Sequence, residues 1–347
     1  MSFLSSFKKF YLLNLVPIKK HMTTKTSLIK GSTIEKEFSE FENFFHTVLY
    51  SEDPILSPIL EYILQKNGKH MRPMFILLSA KIFGEISKKT YTAASSIEIM
   101  HTASLIHDDV VDESEKRRGS FSVNAIWKNK TAVLVGDYLM SVGLSINMKG
   151  PYIKFIDLLT NAFKQMSEGE IIQLSKSREL NIDFDSYFDI IFKKTAVLFA
   201  TSLAIGAASV TEDQGIIDKM YDIGKNIGIA FQIKDDIFDY SIHQDIGKPT
   251  GNDLKEKKIT LPLLHVLDTL TETEKNKIIN TIDKENQNEE KIQELISLVI
   301  DNGGLNYATE QMNKYKNIAI SQIKTLPDSP SKIDMIKLVE YVTDRKK

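Results

Sequence analysis

The sequence predicts an all-α protein that folds as one large helical bundle around a central cavity. Helical patterning begins near Ile34 and continues with short breaks to about Val342, and no region shows the strand alternation and turn rhythm of a β-domain. Hydrophobic residues make up 42% of the 347 residues, with only 9 prolines and 16 glycines, which suits a packed and mostly helical chain. No repeat with a period of about 20 to 50 residues is present, which argues against a solenoid.

Short breaks divide this pattern into ten or more predicted helices. They are marked by glycine, proline, asparagine or aspartate, which end helices and form turns. They fall at Asp53-Pro54, Asn67-Gly68, Phe83-Gly84, Gly119, Gly150-Pro151, Asn181–Asp185 and Gly247-Lys248-Pro249. We expect polar site residues to project into the centre of the bundle.

The N-terminal segment differs from the rest. Residues 1–34 contain no acidic residue and six lysines. We interpret them as a leader that precedes a catalytic domain over residues 35–347. The leader is either disordered, an organelle transit peptide or an over-extended start with Met22 as the true initiator, and its lack of arginine weakens the transit-peptide reading.

Composition excludes several functions. A net charge of −2 argues against a nucleic-acid surface, and the absence of cysteine excludes disulfides, thiolate nucleophiles and cysteine-based zinc sites. A chain without cysteine fits a reducing compartment, so we expect a cytoplasmic protein, or an organellar one if residues 1–34 are a transit peptide. We expect no transmembrane segment, because the nearest apolar run, Ala196–Val210, is interpreted as a buried helix.

Two aspartate clusters of the same form, Asp108–Asp112 and Asp235–Asp239, each end an apolar helical stretch. In the spacing DDxxD, the first and last aspartates lie one turn apart on one helix face, with the second beside them. Two such helices facing each other would gather six carboxylates at one cavity mouth, and that charge density requires cations. Because the ligands are all oxygens, a hard ion such as Mg²⁺ is expected, bridging carboxylates to substrate phosphates.

The alternative for a single cluster is a solvated helix end. Aspartates at a helix C-terminus oppose the helix dipole, and two copies in apolar runs favour a metal–diphosphate site. Basic residues recur beside the breaks that could face this site, and they could contact the remaining phosphate oxygens. They are Lys69, Arg72, Arg117, Arg118, Lys194, Lys248, Lys255, Lys257 and Lys258.

Over about residues 35–347 the chain resembles the trans-polyprenyl diphosphate synthases, in particular the hexa-, hepta- and octaprenyl diphosphate synthases. The two aspartate clusters and the stretches around them carry the resemblance. These stretches are Gly68–Pro73, His101–His107, Arg117–Gly119, Gly136–Leu139, Ser167–Glu170, Lys194-Thr195, Phe231–Lys234 and Gly247–Pro249. Two departures are Asn67, where a glycine is usual, and Lys234, where an arginine is common. The fold implied is the all-α isoprenoid synthase type I bundle.

The resemblance implies a role for each site residue. Mg²⁺ would be held by Asp108, Asp112 and Asp235, with Asp109, Asp236 and Asp239 completing the shell. The allylic diphosphate would be bound by Arg117, Lys194, Thr195, Gln232 and Lys248. Isopentenyl diphosphate would be bound by Lys69, Arg72, His101 and Arg118. A core histidine is the alternative for His101, but its place two turns below Asp108 favours a ligand.

The implied activity is head-to-tail transfer of an allylic group to isopentenyl diphosphate, with no protein nucleophile. The residues expected to act most directly are Asp108, Asp112, Asp235, Lys194, Gln232 and Lys248. They would stabilise the departing diphosphate and position the two substrates. The resemblance also implies a homodimer, which would cover the apolar helix faces of a long chain.

Product length depends on how far an apolar tail can run below Asp108. Ala103 and Ser104 are small, where family members that stop at fifteen carbons usually carry a bulky aromatic. The tail should therefore pass the first turn, and Phe163 is a candidate floor. We expect a product of roughly thirty to forty carbons, suited to a quinone side chain, since each further helical turn adds ~5 Å of depth.

Three alternatives remain. A shorter-chain geranylgeranyl diphosphate synthase would have the same site with a shorter tunnel. A class I terpene cyclase is disfavoured by the second DDxxD cluster and by Lys69, Arg72 and His101. A non-catalytic subunit of a heteromeric synthase is disfavoured because both aspartate clusters are intact.

Overall fold

Helices form nearly all of the described chain. The computed structural model describes residues 28–66, 68–117, 119–148, 152–240 and 251–345. The first half contains α1 (Glu35–Val48), α2 (Leu56–Gln65), α3 (Met71–Phe83), α4 (Lys88–Val111), α5 (Val123–Ser145) and α6 (Ile153–Glu179). The second half contains α7 (Phe184–Ile191), α8 (Val197–Ala208), α9 (Gln214–Asp239), α10 (Asn252–Lys255), α11 (Leu261–Thr269), α12 (Glu272–Glu285), α13 (Glu289–Asp301), α14 (Gly304–Lys324) and α15 (Pro330–Asp344). The predicted all-α bundle of ten or more helices is confirmed.

A two-stranded antiparallel ribbon lies between α4 and α5. Strand β1 (Lys116–Arg117) pairs with β2 (Ser120–Phe121), and Gly119 turns the chain with a φ of 75°, a left-handed conformation that costs glycine little. The Tyr62 hydroxyl of α2 donates a hydrogen bond to the carbonyl of Phe121 at 2.6 Å. The sequence did not predict this ribbon, because strands of two residues are too short to show alternation.

Helix α4 carries the first aspartate cluster from the base of the bundle to its mouth. Ser87 caps its N-terminus, accepting a hydrogen bond from the backbone N–H of Lys89 in a capping box with Thr90. The helix then runs 24 residues, or ~36 Å at 1.5 Å per residue. Most residues from Thr90 to His101 are buried, so packing holds the helix that carries the cluster in a fixed position.

The centre of the bundle is α8, in which every residue from Val197 to Ala207 is buried. Two glycines allow its neighbours to approach its backbone closely. A Cβ at Gly206 would lie 2.5 Å from the carbonyl oxygen of Ile76 in α3, and one at Gly224 of α9 would lie 2.5 Å from that of Phe199. Because these contacts are to backbone atoms, larger residues would force the helices apart.

Helices α7 and α8 are joined without a break by a π-helical turn, Phe192–Ala196. The resulting stretch, Phe184–Ala208, has 25 residues and contains an 18-residue window with a mean hydropathy of 1.5, so it is long and apolar enough by composition to cross a membrane. Of that window, 78% is buried inside the protein, as in the core helix expected for Ala196–Val210.

The packed structure begins slightly before the predicted domain boundary at residue 35. Ile29 and Ile34 are buried in the core, and the backbone N–H of Thr33 donates a hydrogen bond to Asp334 of α15 at 2.8 Å. This contact joins the two ends of the described chain. Residues 1–27, which make up most of the predicted leader, lie outside the described residues.

Helix α5 is kinked at Lys128, whose backbone has φ 72° and ψ 158°. A lysine rarely adopts this conformation, because its Cβ clashes with the backbone there and only glycine adopts it at low cost. The helix resumes immediately and ends at Ser145. Lys128 is thus a point of backbone strain in an otherwise regular helix.

Candidate active site

The two aspartate clusters lie at the C-terminal ends of their helices, as predicted. Asp108 and Asp109 are in the last turn of α4, and Asp112 is its C-terminal cap. Asp235, Asp236 and Asp239 end α9. Because the carbonyl groups at a helix C-terminus carry partial negative charge, the helices themselves do not compensate these carboxylates.

In the first cluster, Asp109 is held by the protein while Asp108 and Asp112 are accessible. Asp109 is 3% exposed and accepts a hydrogen bond from Arg117 Nε of the ribbon at 2.6 Å. The side-chain amide of Asn124 donates to the backbone carbonyl of Asp109 at 3.1 Å. Asp108 is half-buried and Asp112 is exposed. Asp108 and Asp112 are therefore the carboxylates of this cluster that a ligand can reach.

The environment of Asp108 disfavours its negative charge. Burial raises the pKa of this carboxyl to about 6, the positive charges of Lys194 and Arg117 oppose the shift, and the negative charges of Glu170 and Asp112 add to it. A carboxylate in such a place gains more from an added cation than a solvated one does.

In the second cluster, Asp236 is the end of a hydrogen-bonded chain. It accepts hydrogen bonds from the Tyr187 hydroxyl at 2.6 Å and from Gln232 Nε2 at 2.9 Å. Thr195 Oγ1 in turn donates to Gln232 Oε1 at 2.6 Å. Because Asp236 and Tyr187 are buried, this network fixes the Gln232 amide and the Thr195 hydroxyl at the cavity edge.

Asp239 supports the chain that follows the cluster. Its carboxylate accepts hydrogen bonds from the backbone N–H groups of Asn252 at 3.0 Å and Asp253 at 2.9 Å, at the start of α10. Burial nevertheless raises the pKa of Asp239, raises that of Asp236 to about 6 and raises that of Asp253 further. The sequence did not suggest Asp253, which adds a fourth carboxyl group to this side of the mouth.

Lys194 is placed by the π-helical turn. Its ammonium lies 2.7 Å from a carboxylate oxygen of Glu170 and donates a hydrogen bond to Gln173 Oε1 at 3.2 Å. Gly169 allows α6 to approach the turn, since a Cβ there would lie 2.7 Å from Lys193 Cβ. Single π-turns inside α-helices are frequent at functional sites, where the extra residue redirects side chains.

A cavity of about 110 Å³ lies beside the second cluster. Its lining includes Lys194, Thr195, Gln232 and Asp236. Lysines from the segment after α10 also line it, among them Lys258. Although burial lowers the pKa of Lys258, a hydrogen bond to Glu256 and the charges of Glu256, Asp112 and Asp253 raise it overall. Lys258 is therefore within electrostatic range of both sides of the mouth.

The residues predicted to bind isopentenyl diphosphate lie around the start of α3. Arg72 Nη1 is 3.5 Å from His101 Nδ1, and the Arg72 guanidinium lies 4.8 Å from the centre of the Phe199 ring. Lys69 Nζ donates a hydrogen bond to the Tyr341 hydroxyl of α15 at 2.7 Å. A second cavity, of about 80 Å³, is lined by His101 and Arg117 and also by Lys66.

The end of α15 reaches the second cluster. Arg345 donates a hydrogen bond to Asp235, and its guanidinium stacks on Phe231 at 4.3 Å and Phe238 at 5.4 Å. Tyr341, one turn earlier on the same face, is the residue that holds Lys69. The last turn of α15 and the residue that follows it therefore contact both halves of the candidate site.

Comparison with known proteins identifies the family. The profile of the Polyprenyl synthetase family matches residues 53–299. The chain is 34% identical to the octaprenyl diphosphate synthase of Haemophilus influenzae over 86% of this chain and 90% of that protein. The chain belongs to the polyprenyl synthetase family.

Solved structures of this family have the same fold. A polyprenyl synthase from Caulobacter crescentus, complexed with calcium and isoprenyl diphosphate, matches with a TM-score of 0.85 and 29% identity over 93% of this chain and 98% of that one. A geranylgeranyl pyrophosphate synthase from Bacteroides thetaiotaomicron matches with a TM-score of 0.79 and 36% identity over 92% and 99% of the two chains. This polyprenyl synthetase is therefore an all-α prenyltransferase that makes a prenyl diphosphate.

The carboxylates of the polyprenyl synthetase suit an ion bound jointly with substrate. Among the described residues, no three acidic or histidine side chains converge closely enough to enclose a metal. Asp109, Asp236 and Asp239 have protein donors, while Asp108 and Asp112 are accessible and Asp235 is paired with Arg345. Mg²⁺ characteristically takes one or two carboxylates together with waters and substrate phosphates. The oxygen donors fit that mode, in which a few carboxylates are bridged to substrate phosphates.

The residues predicted to control product length differ in accessibility. Ser104 is half-buried, and its hydroxyl donates a hydrogen bond to the backbone carbonyl of Met100 at 3.4 Å. Ala103 is completely buried, and Phe163 is 9% exposed. Ala103 lies ~140° around the helix from Asp108, whereas Ser104 lies ~40° from it. Ser104 is therefore the better placed of the two to meet a tail below Asp108.

Two predicted substrate ligands, Arg118 and Lys248, lie outside the described residues. Several residues at the site were not singled out from the sequence. They are Lys66, Tyr187, Asp253 and Tyr341. Asp253 could have been found as a carboxylate beside the basic residues Lys255, Lys257 and Lys258, but no local signal marks the other three.

Proposed function

We propose that this polyprenyl synthetase condenses isopentenyl diphosphate head-to-tail onto an allylic diphosphate and releases an all-trans product for a quinone side chain. The main support is that Lys194 links the two aspartate clusters. Its charge acts on Asp108 of the first cluster, and it lines the same cavity as Asp236 of the second. This arrangement suits a metal-bound diphosphate, because each acidic cluster can bind a metal ion and the ammonium of Lys194 between them can contact the phosphate oxygens.

In this proposal Asp108, Asp112 and Asp235 hold Mg²⁺, which when bound neutralises the charge of the leaving diphosphate. Asp109, Asp236 and Asp239 fix the two helix ends through Arg117, Tyr187 and the backbone of α10. Calcium and isoprenyl diphosphate in the related Caulobacter structure support a cation–diphosphate pair in this family.

Basic and polar side chains orient the two substrates. Arg117, Lys194, Thr195 and Gln232 contact the allylic diphosphate, and Lys248, which lies outside the described residues, is proposed to join them. Lys69, Arg72 and His101 hold isopentenyl diphosphate, with Arg118. Since Lys194 is balanced by Glu170 and Arg117 by Asp109, these cations are held at fixed positions before substrate binds.

The chemistry then needs no protein nucleophile. The allylic C–O bond breaks and its electron pair leaves with the diphosphate. The double bond of isopentenyl diphosphate forms the new C–C bond, and a proton passes from its C2 to the departing diphosphate. The cationic transition state must be shielded from water, which the apolar walls of the bundle provide.

We propose a product of roughly thirty to forty carbons, because the small side chain of Ser104 leaves the first turn below Asp108 open to a long tail. Each further helical turn adds ~5 Å to the depth available to that tail.

A homodimer is proposed from exposed apolar residues on α5 and α6. Leu134 is 67% exposed, Ile153 64% and Ile171 67%. We take these side chains as candidates for the dimer contact, because burying them between two copies would remove apolar surface from water.

The decisive experiment incubates purified protein with Mg²⁺, labelled isopentenyl diphosphate and farnesyl diphosphate, and separates the products by chromatography. Asp235→Ala should lower turnover about a hundredfold or more, whereas Asp222→Ala, an exposed aspartate on the same helix, should not. A twenty-carbon product would favour the geranylgeranyl alternative, and a cyclised hydrocarbon would favour a terpene cyclase. No product from any allylic primer would favour a non-catalytic subunit.

A further inference from the structure

His70 is a buried titratable residue next to the isopentenyl side of the site. It lies between Lys69 and Arg72 and caps the N-terminus of α3 in a left-handed conformation, with φ 49° and ψ 45°. Its side chain is 4% exposed. A buried histidine in the same turn as two substrate ligands can affect where both of them point.

Carboxylates face both ring nitrogens of His70. Nδ1 lies 3.9 Å from Glu42 Oε1 of α1, and Nε2 lies 3.9 Å from Glu98 Oε1 of α4. A neutral imidazole has one N–H and one lone pair, so one of these carboxylates would face a lone pair. A protonated ring presents an N–H to each, which makes both contacts attractive.

Glu98 also favours the cation. The rings of Phe38, Phe41 and Phe45 surround the imidazole, with centroid distances of 6.3, 5.8 and 5.6 Å. Phe41 and Phe45 meet it edge to face, so these rings fix the position of the imidazole and do not decide its charge. Glu98 is only 7% exposed, and a buried carboxylate requires compensation by positive charge. Burial and the positive charge of Arg72 oppose protonation.

The surrounding elements each contribute a titratable group. Glu42 comes from α1, Glu98 and His101 come from α4, and Arg72 and Lys69 are on the same turn as His70. Tyr341 of α15 is reached through Lys69. The ring therefore links α1 and α4 to the turn that carries Lys69 and Arg72.

We propose that His70 is a positioning residue whose positively charged imidazole, held between Glu42 and Glu98, fixes Lys69 and Arg72 for the diphosphate of the isopentenyl substrate. This rests on the proposed role of Lys69 and Arg72. When the ring loses its proton, one attractive contact is lost and the turn is less firmly held. Affinity for isopentenyl diphosphate should then fall as pH rises, while affinity for the allylic substrate should not.

The test measures KM for each substrate from pH 6 to 9 in the wild-type enzyme, His70→Gln and His70→Arg. His70→Gln should raise KM for isopentenyl diphosphate about tenfold at low pH, as loss of a supporting contact does for other ligands. His70→Arg keeps a permanent cation and should restore a low KM without the rise at high pH. His46→Gln, an exposed histidine on α1, is the matched control and should match wild type.

Two further measurements keep the test decisive if a variant at position 70 fails to fold. Glu42→Gln removes one partner, so the rise in KM should begin at lower pH. The ¹⁵N chemical shifts of the His70 imidazole should show a protonated ring at pH 7. They are assigned by comparison with His70→Gln, or by elimination with variants of the other histidines. A neutral ring at pH 7, or an equal change in both KM values, would overturn the proposal.

The outcome also separates this inference from the proposed function. If Lys69→Ala raises KM for isopentenyl diphosphate and His70→Gln does not, the role of His70 is wrong and the site assignment stands. If Lys69→Ala changes neither KM, the assignment of the turn to isopentenyl diphosphate is itself wrong.

Discussion

Arg345 donates a hydrogen bond to Asp235 across 110 residues of sequence, so a proposed metal ligand is already neutralised by the residue that follows α15. The arginine is also stacked on Phe231 and Phe238, which hold the guanidinium in place. A cation that binds Asp235 must therefore compete with this ion pair.

Replacing Arg345 by Gln should lower the Mg²⁺ concentration that gives half-maximal activity. The pair is partly exposed, so we expect a change of about 1 kcal/mol or less, which is about fivefold at most. The measurement is a Mg²⁺ titration of initial rate at saturating substrates. Lys337→Gln removes an exposed cation from the same helix and should leave the titration unchanged. An increased Mg²⁺ requirement in Arg345→Gln would contradict competition.

Lys128→Gly should stabilise the protein. The lysine backbone at φ 72° and ψ 158° is strained by about 1–3 kcal/mol, which glycine would relieve. Lys130→Gly, two residues later on the exposed side of the same helix, should instead destabilise by about 1 kcal/mol, because glycine weakens a regular helix. Denaturant unfolding of the two variants gives the comparison. The interpretation of the kink fails if both substitutions are destabilising.

Ser104→Phe should shorten the product while leaving the initial rate comparable, because the aromatic ring obstructs the tail and does not touch the aspartates. Phe163→Ala should lengthen it if Phe163 is the floor. Product chain lengths are compared by chromatography. Ala103→Phe is the contrast, since Ala103 is completely buried and overpacking there should cost about 1–3 kcal/mol of stability. Unchanged products from Ser104→Phe would refute the tunnel.

Leu134→Glu should weaken the proposed homodimer, because Leu134 is 67% exposed among the apolar residues of α5 and a charge would be unfavourable in a dry interface. Light scattering at micromolar concentration should give a dimer mass for the wild type and a lower mass for the variant. Ile333→Glu changes an apolar residue of α15 that is 55% exposed, and should leave the mass unchanged. A monomeric wild type would contradict the proposal directly.

The local sequence was sufficient to predict the helices and the positions of the two aspartate clusters at their ends. Helical periodicity and breaks such as Asp53-Pro54 and Phe83-Gly84 depend on only a few neighbouring residues. They can therefore be recognised in the sequence without knowledge of the tertiary contacts. The DDxxD spacing likewise defines a helix face by itself. The π-turn at Phe192–Ala196 and the kink at Lys128 were not predicted, because neither stretch contains a glycine or proline that would mark a break.

Only the tertiary structure decided which carboxylates are accessible. Asp236 is buried under Tyr187, 49 residues earlier in the chain, and Asp235 meets Arg345, 110 residues later. Asp109 accepts a hydrogen bond from the ribbon and Asp239 accepts one from α10, while Asp108 and Asp112 remain accessible. The six aspartates occupy equivalent places in two identical motifs, so the motif cannot distinguish them. Tyr187 and Arg345, the donors to Asp236 and Asp235, come from distant segments, and the folded chain alone brings those segments together.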